Sequence, residues 1–143
     1  MRRFFQWVLV ICFASIPCLF GEEQKLKFNR DIRPILSDAC FHCHGPDGAI
    51  RQGGLRLDLE EFSQNPGKSG LSAIVPGDLE ESEMIFRIHL PEDDEEHMPP
   101  LDSGKSITTE QKKILERWIE EGADYEKHWS FEKPKKPSVP EGI

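Results

Sequence analysis

Apolar residues open the chain as one block, Phe4 to Phe20, interrupted only by Gln6 and Ser15, and thereafter recur at helical spacing. Ile32, Ile35, Leu36, Ala39, Cys40 and Cys43 repeat at i, i+3, i+4, i+7, i+8 and i+11, which predicts a helix over 31–44 with both cysteines on its apolar face. Asp31 is its expected N-cap, and Pro34 falls in the first turn, where a missing N–H costs nothing. Gly45-Pro46-Asp47-Gly48 then stops it. Met84, Ile85 and Ile88 share one face of a second expected helix, 79–89, capped by Asp78 and Glu81, and this assigns Met84 to the core. A third runs over 108–121: Thr108 and Gln111 form a capping box, Ile114, Leu115, Trp118 and Ile119 form the stripe, and Gly122 ends it. Trp118 reads as ordinary core, with packing beside a bound prosthetic group as the alternative. A further helix is expected near 56–63, between the glycine-rich stretches Gly53 to Asp58 and Asn65 to Gly70.

Composition and charge narrow the class. A chain of 143 residues gives one small domain with a limited core. Its net charge is −8, and without the first 21 residues 16 basic residues face 26 acidic ones, which disfavours nucleic-acid binding. Arg2 and Arg3 ahead of the apolar block, with Pro17 near its end and Gly21 before Glu22-Glu23, read as an export signal over 1–21. The block over residues 4–20 also nears the length that spans a bilayer, about 17 apolar residues, so an uncleaved anchor is the alternative, with a lipid anchor at Cys18 a further one. The expected division is a leader at 1–21, a domain at 22–131 and a lysine- and proline-rich tail at 132–143.

Beyond the leader only Cys40 and Cys43 remain. Export favours reading two cysteines as a disulfide. Cys40-Phe41-His42-Cys43-His44 argues for another chemistry: it is the spacing for haem c attachment, in which each thiol adds to a haem vinyl group and the adjoining histidine ligates iron. One helical turn carries the two thiols to the two vinyl positions. A thiol-redox pair needs no following histidine, and zinc needs two more ligands.

For the second axial position the candidates are Met84, Met98, His42, His89, His97 and His128. Met98 is the best, because Pro99 and Pro100 stiffen its strap and hold a thioether at lower entropic cost. His42 projects between the thiols toward solvent, His128 is an exposed tail residue, and His89 and His97 are weaker choices. Glu92-Asp93-Asp94-Glu95-Glu96, just before the strap, reads as a solvated loop or as a charge that steers a basic partner.

Over Phe28 to Phe131 the chain resembles the planctomycete-type cytochrome c domain, a relative of class I cytochromes c. Phe28 to Leu36, Cys40 to Gly45, Gly53 to Asp58, Ile74 to Asp78, Met98-Pro99-Pro100 and Trp118-Ile119 carry the likeness. The resemblance implies thioether bonds at Cys40 and Cys43, His44 on iron, Met98 as distal ligand, and a bacterial, extracytoplasmic setting such as the periplasm. In this family the domain usually opens a longer protein, and His128-Trp129-Ser130-Phe131 resembles the join. The expected fold is all-α, about four helices around one covalent haem. The expected role is an electron carrier serving a redox partner protein or domain; a haem catalyst or sensor with a displaceable distal ligand, and a haem-stabilised interaction module, are the alternatives.

Overall fold

The computed structural model describes residues 24–67, 70–128, 130 and 133. The leader and most of the tail lie outside the described residues. Helices α1 (Arg33–Ala39), α2 (Phe41–His44), α3 (Glu60–Gln64), α4 (Glu83–His89) and α5 (Thr109–Glu120) are joined by loops, with a π-helical turn at Phe28–Ile32 and a 3-10 turn at Leu101–Ser103. Among the described residues there is no strand, only an isolated bridge between Val75 and Asp78. The architecture is all-α, as expected.

The helix expected over 31–44 is divided. Its first turn is π-helical, and it breaks at Cys40 (φ −121°, ψ −40°) before α2 begins. Asp31 does not cap α1. It lies inside the wider turn, where its carboxylate accepts the Lys27 N–H at 2.8 Å and pairs with Arg30, so it caps the chain four residues earlier. Pro34 does occupy the first turn of α1.

The helix expected over 79–89 starts only at Glu83. Asp78 accepts the N–H groups of Glu80 and Glu81 at 3.0 and 3.1 Å, so it caps a turn rather than the helix. Ser82, fully buried, donates its hydroxyl to the Asp78 carbonyl (2.6 Å) and accepts the Val75 N–H (2.9 Å). That hydroxyl is committed to the 75–78 loop, which keeps the preceding residues in a turn. The region expected as helix 56–63 contributes only Glu60–Gln64.

Helix α5 follows its pattern closely. Thr108 and Gln111 complete both halves of the capping box, Leu115, Trp118 and Ile119 are buried, and Gly122 ends it at φ 105°. The N-terminal turn packs against α5 through Phe28, which meets Trp118 at 5.6 Å and Tyr125 at 4.3 Å between ring centroids. Trp118 is therefore a core residue. Its indole N–H donates to the Asp124 carbonyl (3.1 Å), which meets the need of a buried ring for a partner. Ile32, Ile35, Leu36, Leu57, Ile74, Met84, Ile85, Ile88 and Ile107 complete the core.

Candidate functional site

The short α2 carries the cysteine–histidine motif, and one carbonyl organises it. The Cys40 carbonyl accepts the N–H groups of Cys43 (3.1 Å) and His44 (2.8 Å), which closes a single helical turn that carries both cysteines and the histidine. Its own end is tied off by the following loop. Gln52 donates its N–H to the Cys43 carbonyl and Leu57 donates to that of His44, each at 2.8 Å, so two of the carbonyls a helix end leaves unpaired are filled. Arg51 reaches back to the carbonyls of Gly45 (3.0 Å) and Pro46 (2.8 Å). Gly45 is needed for space: a Cβ there would stand 2.2 Å from the Phe41 carbonyl oxygen.

Burial favours the neutral forms of Cys40 and His44. Cys40 and Cys43 are both free and partly buried, so they do not form the disulfide that export would favour. Burial, reinforced by the Asp38 carboxylate, pushes the Cys40 thiol up to about 12. A sulfur held this firmly uncharged suits a thioether, not a metal thiolate or a redox nucleophile. Burial also lowers the pKa of His44; the Gln52 carbonyl partly opposes this, and the charge of Arg87 adds to it. The imidazole is therefore neutral, as a metal ligand must be. Its Nδ1 is buried and makes no hydrogen bond of acceptable geometry, although the Gln52 carbonyl is near enough to act on the ring. A ligand on the other nitrogen would fix the tautomer and turn Nδ1–H toward such a carbonyl. The motif thus fits a covalent haem. Zinc is a poorer fit, since among the described residues no group of three or more His, Cys, Asp or Glu could hold a metal ion.

Met98 is partly buried, and its peptide to Pro99 is cis. Its N–H donates to the Arg87 carbonyl at 3.1 Å. Arg87 therefore connects the two proposed ligands: its carbonyl holds the Met98 strap, and its guanidinium lies close enough to act on His44. That guanidinium is itself held by Glu83 (2.7 Å) and Glu96 (3.9 Å). No sequence pattern singled out Arg87, because its role depends on where the 91–98 loop returns.

The remaining candidates sort clearly. Met84 is buried in the core, as expected. His42 is exposed, and His89 is exposed and within 2.6 Å of Glu116. His97 is buried, with Nδ1 2.8 Å from the Leu90 carbonyl. His128, expected to be exposed, is partly buried, with Nδ1 2.7 Å from the Ser130 hydroxyl. Residues 92–96 are all exposed. Two surface hollows of about 500 and 380 Å³ lie elsewhere, the first beside Arg33, Arg56 and Lys127 and the second beside Phe86, Leu90 and Pro91; neither is lined by Cys40, Cys43, His44 or Met98.

A Cys-x-x-Cys-His turn with a buried, uncharged Cys40 thiol and a neutral histidine has the donor set that haem c attachment requires. Residues 40–102 match the family model of planctomycete cytochrome C, which bears out the resemblance to that domain and supports haem binding and electron transfer as its class of function. No curated protein and no solved structure matches the chain. Among the described residues, no helix is long and apolar enough to cross a membrane.

Proposed function

We propose that this chain is a cytochrome of class I type in which one haem c is bound through thioether bonds at Cys40 and Cys43, with His44 and Met98 as axial ligands. It transfers single electrons outside the cytoplasm to or from a protein partner. The observation that carries the reading is the α2 turn, in which the Cys40 carbonyl takes the Cys43 and His44 N–H groups, so that one helical turn carries both cysteines and a neutral imidazole. Haem supplies the one-electron couple, and its potential and access are set by the axial ligands and their surroundings.

The chain's own residues hold, orient and seal. Gln52 and Leu57 fix the carbonyls behind His44, and Arg51 closes the loop after it. Arg87 anchors the Met98 backbone, and Pro99 and Pro100 restrict its strap. Two protein ligands leave no position for a substrate, which favours electron transfer over bond-making chemistry. The apolar leader 4–20 supports export, by cleavage or as a membrane anchor, and the acidic run favours a partner with a basic docking face.

Attachment is tested by expressing the full chain with a haem c maturation system and taking the pyridine haemochrome spectrum. The reading predicts one haem per chain with both vinyl groups saturated, retained after acid–acetone extraction. Haem lost on extraction, or no haem bound, would refute it.

A further inference from the structure

His97 has no role in the reading above, yet it is one of only three buried polar side chains among the described residues, with Ser63 and Ser82. Among the described residues its one ring partner is the Leu90 carbonyl, 2.8 Å from Nδ1. A carbonyl oxygen can only accept, so Nδ1 carries the proton and donates. Leu90 is the residue that ends α4, and the Arg87 carbonyl one turn earlier takes the Met98 N–H at 3.1 Å. Two consecutive residues of the strap are thus fastened to the same helix end, one through its side chain and one through its backbone.

Beyond its own turns, the segment between these anchors shows one long ion pair, Glu96 to Arg87 at 3.9 Å. Residues 92–96 are five exposed carboxylates closed by local turns, Asp94 N–H to the Pro91 carbonyl (3.0 Å), Glu96 N–H to Asp94 Oδ1 (2.8 Å) and His97 N–H to the Asp94 carbonyl (3.0 Å). Mutual repulsion among like charges favours opening such a loop. His97 is the buried point at which it is pinned, directly before Met98.

We propose that His97 is a positioning residue, whose Nδ1–H bond to the Leu90 carbonyl fixes the strap that presents the Met98 sulfur to iron. This rests on Met98 being the distal ligand. It assigns His97 no contact with iron: its task is to limit how readily the thioether leaves.

Two variants of equal shape separate donation from packing in the haem-loaded full chain. His97→Asn keeps an N–H at the same bond distance from Cβ, and His97→Leu removes it. The readouts are the ferric far-red sulfur-to-iron band, its persistence on warming, and the rate at which the ferrous protein binds carbon monoxide. His97→Leu should lose the band at lower temperature and bind carbon monoxide about 2- to 12-fold faster, the factor carried by an ordinary hydrogen bond, while His97→Asn stays near wild type. If His97→Leu does not fold, His97→Phe fills the ring's volume and takes its place. Equal behaviour of the donor and donor-free variants would overturn the proposal and leave His97 a space-filling residue. A wild-type protein without the band, already open to carbon monoxide, would instead refute Met98 ligation itself. A wild type without the band but closed to carbon monoxide, and opened by His97→Leu, would make His97 the ligand.

Discussion

Replacing Gly45 by alanine places a methyl group 2.2 Å from the Phe41 carbonyl oxygen and 2.9 Å from its carbon. Gly45 has φ −123°, a value open to any residue, so the conflict is one of space alone. Relief requires a shift of about 1 Å to restore ordinary contact, and both partners are backbone. The shift falls either on α2, which carries Cys43 and His44, or on the Arg51-tied loop. Overpacking of this kind costs about 1–3 kcal/mol. In a domain of this size each kcal/mol lowers the melting temperature by about 4–8 °C, so Gly45→Ala should melt at least about 4 °C below wild type. Gly48→Ala is the control: no atom lies within 4 Å of its added Cβ, and it should melt at or slightly above the wild-type temperature. Circular dichroism melts of the haem-loaded proteins decide the matter. Equal melting of the two variants would show that the Gly45–Phe41 approach does not constrain the site.

Ser82→Ala should destabilise by about 1–3 kcal/mol, because the Val75 N–H and the Asp78 carbonyl both lose a buried partner; denaturant titration checks this, and an unchanged midpoint would contradict it. Cys40→Ala/Cys43→Ala should leave little stable protein, since about a hundred residues with a small core must use haem as part of it; a haem-free variant with full helicity and a cooperative melt would show that the core stands alone. Neutralising residues 92–96 to Gln and Asn should flatten the ionic-strength dependence of electron transfer to a cationic acceptor, a field effect worth about 10- to 1000-fold in association rate; an unchanged salt slope would leave the run a solvated loop.

Features that the sequence made legible are those set by neighbours in the chain. The capping box at Thr108 and Gln111, the stripe ending in Trp118 and Ile119, the core role of Met84 and the stop at Gly45 all depend on residues within a turn or two. The cysteine–histidine motif is legible for the same reason, because one helical turn contains it. Helix starts were less so. Asp31 and Asp78 have the chemistry of caps, but the π-helical turn moves the first bond back to Lys27, and Ser82 commits its hydroxyl to Val75 and Asp78. Contacts between distant segments left no local trace. Tyr125 donates toward Ser63 (2.9 Å) and packs on Phe28, and Arg87 binds the Met98 backbone while acting on His44, yet neither has a periodic or motif signature.

The central claim, an electron carrier with His44 and Met98 on a six-coordinate iron, is tested most directly by carbon monoxide binding to the ferrous wild-type protein at neutral pH. Methionine ligation through a strap pinned at Arg87 predicts slow or negligible binding, together with the weak far-red sulfur-to-iron band in the ferric state. Met98→Ala should abolish that band and open the iron. Rapid carbon monoxide binding by the wild type would contradict the account, because an open distal site belongs to a haem catalyst or sensor.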